Sequence, residues 1–308
     1  MTFAKNDLTC DVGLNSFKRA IAMSVSDKSK RRGTILVEIM RYRREQLPAV
    51  MRNIPLADLR AFASVAPPTT SFASALKAPG VSLIAECKKA SPSRGLIAPH
   101  YDPLELTASY LKAGAAAISV LTDARYFQGS LDDLRDVREM MESGVGRKSS
   151  NQPLRRAPIL RKDFIFHPYQ VYEARVAGAD AILLIAAVLA DGEIASLRDL
   201  ADELGMDALI EVHDEDELKR VMALSPRIIG INNRNLQTFE VDFEITARLR
   251  KNIQDDVITI SESGIKSTQD VVRMRELGVD AILVGSSLVR SKDVVARARE
   301  FVKAGKSD

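Results

Sequence analysis

Cysteine is scarce in this chain: Cys10 and Cys87 are its two. Two thiols cannot build a disulfide scaffold, and they fit a reducing cytosol. Long apolar runs are lacking as well. The longest, Ala181 to Ala190, is ten residues between Asp180 and Asp191, far short of the about 20 that a bilayer crossing takes. No apolar stretch of the signal-peptide kind opens the N-terminus, so a cytoplasmic protein with no membrane partner is expected. An excess of one charge is also missing. A formal net charge of +3 gives nucleic acid or a membrane surface no electrostatic support, though a local positive site for an acidic small molecule remains open. His100, His167 and His213 are scattered, and no His/Cys/Asp spacing matches a metal site. His213 reads as a rim or hydrogen-bonding residue.

What is present is enough apolar material for a large core, 46% of 308 residues, and a repeating pattern. Gly114-Ala-Ala-Ala-Ile-Ser-Val-Leu121, Gly178-Ala-Asp-Ala-Ile-Leu-Leu-Ile185, Gly205-Met-Asp-Ala-Leu-Ile-Glu211 and Gly278-Val-Asp-Ala-Ile-Leu-Val-Gly285 share one form. Each starts with a glycine suited to the residue just past a helix and runs straight into a strand. Such a turn repeated in phase signals parallel strands wrapped by helices. Adding the runs Val81–Lys88, Ala157–Asp163, Ile228–Asn232 and Val257–Glu262 gives eight strands. Eight alternating units in about 220 residues argue for a closed (β/α)8 TIM barrel. An open doubly wound sheet is the alternative, but its Gly-x-Gly-x-x-Gly loop is absent.

Before the repeat lie helical stretches at Thr34–Leu47, Leu56–Val65 and Phe72–Lys77. In the first, Ile35, Ile39 and Tyr42 recur at helical spacing and Pro48 can follow its end. The division expected is a loosely ordered polar tail over 1–33, a helical extension packed on the barrel over 34–80, and the catalytic barrel over 81–308. Gly144–Pro158, rich in Ser, Asn, Pro and Arg, reads as a solvated insertion on the face away from catalysis.

Side chains alternate along a strand, so residues two apart share a face. If Ile84 points into the barrel, so do Glu86 and Lys88, while Cys87 faces the helices. By the same test Lys162 is in phase with Leu160, Glu211 with Leu209, and Glu262 with Ile258 and Ile260. Asn232 and Arg234 follow Gly230 in phase. Charges at inward positions must be paired or used, and unlike charges in one pocket shift each other's acidity, which suits acid–base work. The last two strands end in Ser263-Gly264 and Gly285-Ser286, and the second opens a short helix, Ser286 to Val289. Bare N–H groups at such a corner cradle an anion, and the loops after strands seven and eight form the usual phosphate site of this fold. Ser267, with a carboxylate at Asp270, reads as the cap of the helix between them.

These residues resemble a known family. Ile84-Ala-Glu-Cys-Lys-Lys-Ala-Ser-Pro-Ser-Arg-Gly95, Leu160-Arg-Lys-Asp-Phe164, Glu211-Val-His213, Gly230-Ile-Asn-Asn-Arg-Asn-Leu236, Ile260-Ser-Glu-Ser-Gly264 and Val284-Gly-Ser286 are similar to the signatures of indole-3-glycerol-phosphate synthase. The likeness covers about residues 34 to 302. Arg94, where the family often has Lys, and Cys87, where it often has an aliphatic residue, are mild departures. The resemblance implies a lyase of tryptophan biosynthesis. It would close the indole ring of 1-(2-carboxyphenylamino)-1-deoxyribulose 5-phosphate and release CO2 and water, with neither metal nor organic cofactor. It further implies a monomer and a small anionic phosphate ester as its partner; with no second domain after the barrel, the fused isomerase of some members is not expected. Lys162 is then the general acid, and Glu86, Lys88 and Glu211 share the dehydration in a way the residues leave open. Asn232 and Arg234 would hold the anthranilate carboxylate. Phe127 and Leu184 would line the aromatic pocket, and Glu262 and Ser263 would complete the wall. Phosphate would sit on Gly264, Gly285 and Ser286 with help from Lys88 or Ser91, the latter on a Pro/Gly-containing loop that reads as a lid. Rival readings are a Schiff-base aldolase using the Lys162 amine, a barrel isomerase acting on a phosphoribosyl-anthranilate, and a phosphate-sensing protein without catalysis.

Overall fold

The computed structural model describes residues 35–143, 156–235 and 238–306. The expectations for the tail over 1–33 and for most of the Gly144–Pro158 insertion lie outside them. Among the described residues no helix is long and apolar enough to cross a membrane.

Eight parallel strands close into a barrel: β1 (Ser82–Cys87), β2 (Ala117–Leu121), β3 (Ile159–Lys162), β4 (Ala181–Ile185), β5 (Asp207–Val212), β6 (Ile228–Asn232), β7 (Ile258–Glu262) and β8 (Ala281–Val284). Each neighbours the next in sequence, and β8 pairs with β1 through Ser82↔Ala281 to Ala85↔Val284. Along β1 to β7 every strand residue is buried save the last of β3, Lys162, which is half-buried. Both faces are covered, the inner by the barrel's own filling and the outer by helices. The helices are α1 (Ile35–Asn53), α2 (Leu56–Val65), α3 (Phe72–Leu76), α4 (Pro103–Ala113), α5 (Leu131–Ser143), α6 (Pro168–Val176), α7 (Asp191–Glu203), α8 (Glu215–Met222), α9 (Glu244–Arg250), α10 (Thr268–Glu276), α11 (Ser286–Val289) and α12 (Val294–Gly305).

The repeated Gly-x-Asp turns do two jobs. Gly114, Gly178, Gly205 and Gly278 all take positive φ, 72 to 97°, the left-handed geometry that ends a helix without a Cβ penalty. After all but Gly114, where Ala116 stands instead, the aspartate two residues on then satisfies backbone N–H groups at the barrel floor. Asp180 accepts from Ile159 at 2.8 Å and Thr70 at 2.7 Å, Asp207 from Ala73 at 3.0 Å, and Asp280 from Thr259 at 2.7 Å. Thr70 and Ala73 flank the start of α3, so these carboxylates seat it under the barrel. Its Phe72 and Leu76 are fully buried, and each contributes about 1.5–3 kcal/mol.

Helix α1 differs from the expectation in two ways. It runs through Pro48 to Asn53, although a proline removes one helical hydrogen bond. Beyond the proline, the Tyr169 hydroxyl donates to the carbonyls of Val50 at 3.4 Å and Ile54 at 3.0 Å, which ties the end of α1 to α6. The buried residues are Leu36, Ile39 and Met40, so the stripe against the barrel is turned from the expected Ile35–Ile39–Tyr42. Farther along, Arg43 reaches Asp163 at 2.8 Å. Asp163 also holds the fully buried Arg161 at 2.9 Å, and Arg161 in turn meets Glu173 at 2.7 Å. Docking of α1 thus depends on an ion network behind β3.

Candidate active site

A cavity of about 490 Å³ opens at the C-terminal ends of the strands. Its floor is built from the in-phase charges of the sequence. Lys162 Nζ donates to Glu262 Oε2 at 2.7 Å and to Glu211 Oε2 at 2.9 Å. Glu86 pairs closely with Lys88 and adds its field to Lys162. All five line the cavity with Ser91, Phe127, Asn232, Arg234, Ser263, Gly264, Gly285 and Ser286. Of the residues expected at the site, Leu184 alone does not line this cavity. Ile185 pairs in register with Glu211 and Leu183 with Leu209, so Leu183 and Ile185 face the cavity and Leu184 faces the helices. Both faces of β4 are apolar, and no polarity change marks the phase.

Two strand glycines let carboxylates lie flat on the wall. A Cβ on Gly285 would sit 2.1 Å from Glu86 Oε1, and one on Gly230 would sit 2.1 Å from Glu262 Oε1. The turn after β7 takes positive φ at both Ser263 (66°) and Gly264 (93°). For Ser263 that conformation costs about 1–2 kcal/mol. Asn233, fully buried, holds the turn: its Nδ2 donates to Ser261 Oγ at 2.9 Å, Glu262 O at 3.0 Å and Ser263 O at 3.3 Å. At the next strand end α11 follows Gly285, and Leu288 and Val289 return their N–H groups to the Gly285 carbonyl. The first N–H groups of a helix have no such partner within it, and here Ser286 and Ser287 carry them at the cavity wall. Ser287 Oγ, bonded to Ile265 O at 2.8 Å, ties the two loops together.

The electrostatics follow from crowding. Burial alone would lower the Lys162 ammonium, but Glu211, Glu262 and Glu86 outweigh it and hold Lys162 well above its ordinary value. Burial also disfavours ionised carboxylates. Glu211 escapes because Lys162 and His213 hold it well below the usual range. Glu262 does not: burial, followed by the neighbouring anions Glu211 and Glu86, pushes it up to about 7 despite Lys162. Geometry agrees. Glu211 Oε1 accepts from Asn232 Nδ2 at 3.1 Å with His213 Nε2 at 3.2 Å, while Glu262 Oε1 is buried without a partner. Of the floor carboxylates, Glu262 is therefore the one that takes up a proton most readily.

Other residues take quieter places. His167 caps α6 through Nδ1, which accepts from Tyr169 N at 3.1 Å. Cys87 packs against α4 with its thiol 3.5 Å from Thr107 Oγ1, and burial pushes it up to about 12. Such a thiol is no nucleophile. Asn232 spends its amide on Glu211 and on the Arg234 N–H at 3.0 Å. Arg234 is steadied by the Phe239 carbonyl at 2.8 Å. The ribbon carrying Ser91 (Ala90–Ser91 against Gly95–Leu96) is anchored by Ala90 N to the Phe127 carbonyl at 3.1 Å.

Several lining residues were not singled out from the sequence. Phe164 lies 6.0 Å from Phe127, ring centre to ring centre. Ile35, Leu36 and Ile39 roof the mouth from α1, and Lys266, Arg290 and Arg297 stand around the glycine corner. Arg290 was within reach, since it follows Ser286 by four positions on a helix start and so shares its face. The roof was not, because nothing local says where α1 docks.

Comparison with solved structures defines the class. The chain superposes on 3-hexulose-6-phosphate synthase from Salmonella typhimurium with a TM-score of 0.57 at 13% identity, over 73% of this chain and 98% of that one. The thiamine phosphate pyrophosphorylase of Pyrococcus furiosus gives 0.53 at 15%, over 73% and 95%. At such identities the likeness is one of fold, and it places the chain among the TIM-barrel proteins. Sequence relatives narrow this. Residues 36–301 match the indole-3-glycerol phosphate synthase family. The protein named indole-3-glycerol phosphate synthase in Dehalococcoides mccartyi is 47% identical over 84% of this chain and 97% of its own length. Those of Roseiflexus sp. and Mycobacterium ulcerans are 47% and 42% identical, over 87% and 88% of this chain and 98% and 95% of theirs. The chain belongs to the indole-3-glycerol phosphate synthase family.

Proposed function

We infer that this barrel carries the activity of its family, closing the indole ring of 1-(2-carboxyphenylamino)-1-deoxyribulose 5-phosphate as a decarboxylating lyase of tryptophan biosynthesis. The observation that carries the mechanism is the Lys162 ammonium, held charged among Glu86, Glu211 and Glu262 at the cavity floor. As the carboxylate-bearing ring carbon attacks the substrate ketone, charge develops on the ketone oxygen. Lys162 donates its proton there, an interaction that strengthens toward the transition state. Loss of CO2 restores the aromatic ring. Expulsion of the new hydroxyl as water then needs one group to donate a proton and one to accept it. Glu211, ionised and fixed by three partners, suits the base. Lys88 and Glu86, paired beside it, suit proton return to the leaving oxygen.

Arg234 holds the substrate carboxylate, which its planar fork suits; the Asn232 amide braces Arg234 and Glu211 more than it reaches outward. Phe127 and Phe164, with Leu183 and Ile185, enclose the aromatic ring. The phosphate sits on Gly264, Gly285 and Ser286, with Lys88 and Ser91 closing from the first loop. A Schiff-base role for Lys162 fits less well, because an amine attacks a carbonyl only when unprotonated and these carboxylates keep it charged. Incubation with the carboxyphenylamino-deoxyribulose phosphate should produce indole fluorescence. Absence of that signal, or covalent trapping of the ketose on Lys162 by borohydride, would overturn the reading.

A further inference from the structure

Behind the floor stands a histidine that does not itself line the cavity. His213 follows β5 and lies half-buried between two carboxylates: Nε2 lies 3.2 Å from Glu211 Oε1, and Nδ1 lies 3.1 Å from Glu217 Oε2. Glu217 also accepts the His213 backbone N–H at 2.9 Å. Glu217 is fixed at the first turn of α8 by Asp214, whose side chain accepts its N–H at 2.8 Å. The approach of Nε2 to Glu211 is oblique, so this contact is ionic more than a directed hydrogen bond.

We propose that His213 is a positioning residue for the ring-closing reaction, acting through Glu211 as the second of two cations that divide that carboxylate between them. The inference rests on the function proposed above. The groups facing this cluster are Lys162 from β3, Glu262 from β7, Asn232 from β6, Glu86 from β1 and Glu217 from α8. Counting charge, Lys162 and an imidazolium at His213 balance Glu211 and Glu217, and Glu262 is left to carry its proton. With a neutral imidazole, Lys162 alone would face Glu211, Glu217 and Glu262, and a buried excess of anions is unfavourable. The two carboxylates hold His213 charged, up to about 10, against the lowering effect of burial. The imidazolium therefore decides which floor carboxylate is ionised: Glu211 stays an anion able to accept a proton, and the acid form falls to Glu262.

The test uses His213→Gln, which keeps a neutral donor near Glu211, and Glu217→Gln, which removes one of the two anions that keep the imidazole charged. In His213→Gln, kcat should fall about tenfold, the worth of an interaction with a charged group, while KM stays near wild type. The acid limb of the pH profile should move upward by about one unit, because Glu211 loses a neighbouring cation. Glu217→Gln should move that limb the same way by less. A kcat and a pH limb unchanged in His213→Gln, or a loss of activity that only follows a fall in Tm, would overturn the proposal. A readout independent of turnover uses carbon-13 and nitrogen-15 spectra of the substrate-free protein. His213 should be an imidazolium at pH 7, and the Glu211 carboxyl should titrate higher in His213→Gln. A neutral imidazole at pH 7, or an unmoved Glu211, would sink the proposal whether or not the wild type forms indole. Failure of the wild type to form indole would instead remove the functional reading.

Discussion

Gly230→Ala separates the working of the floor from the stability of the barrel. The added Cβ would lie 2.1 Å from Glu262 Oε1, 3.2 Å from its Cδ and 3.1 Å from Leu209 Cδ1. Non-bonded carbon and oxygen need more than 3 Å, so the carboxyl must retreat by about 1 Å. Glu262 Oε2 now lies 2.7 Å from Lys162 Nζ, and a shift of that size breaks or bends the bond. A hydrogen bond to a charged group is worth about 1.5–3 kcal/mol, which corresponds to roughly 10- to 100-fold in rate. That loss should fall on kcat, since Arg234 and the glycine corner keep their positions. The Tm should change little, because the crowded atom ends a side chain that can swing into the cavity. Gly129→Ala is the contrasting case. Its Cβ would meet the Leu121 carbonyl oxygen at 2.0 Å and carbon at 2.7 Å, strand backbone that cannot swing away. There the damage should be to stability, about 1–3 kcal/mol as for overpacking elsewhere, with a smaller change in rate per folded molecule. Initial rates by indole fluorescence and thermal melts measure both. A Gly230→Ala enzyme with kcat within about twofold of wild type would refute the claim that the Lys162–Glu262 contact matters to the chemistry.

Lys162→Met should abolish turnover with modest loss of substrate binding, and a near-wild-type rate would discard the general-acid role. Arg234→Ala should raise KM more than Lys162→Met does, as expected for a residue that grips the ground state, and steady-state kinetics compares the two. Because His213 is held charged up to about 10 against an ordinary 6.5, the folded protein binds the extra proton between those values. Its contribution to stability is complete below pH 6.5 and is lost as pH rises through 10, so the fall of Tm with pH across that window should be shallower in His213→Gln. Arg161→Leu should lower stability by about 3–5 kcal/mol, since it strips a fully buried guanidinium from Asp163 and Glu173, and denaturant unfolding would read it.

Much of this protein was written locally. The turns at Gly178, Gly205 and Gly278 announce parallel strands because a left-handed residue between helix and strand is a short-range requirement. Alternation then put Glu86, Lys88, Lys162, Glu211 and Glu262 on inward faces because the period of a strand is two whatever it packs against. Where those rules lose their markers, the sequence goes quiet. Strand β4 is apolar on both faces, and only its register with Glu211 shows that Leu183 and Ile185, not Leu184, face the cavity. Helix α1 passes Pro48, and the carbonyls at its far end are held by Tyr169, more than a hundred positions away. The division of charge among Glu211, Glu262 and His213 is likewise absent from any one segment. Coulomb terms between buried groups depend on separations of about 3 Å, and folding alone sets those for residues from β3, β5, β7 and α8.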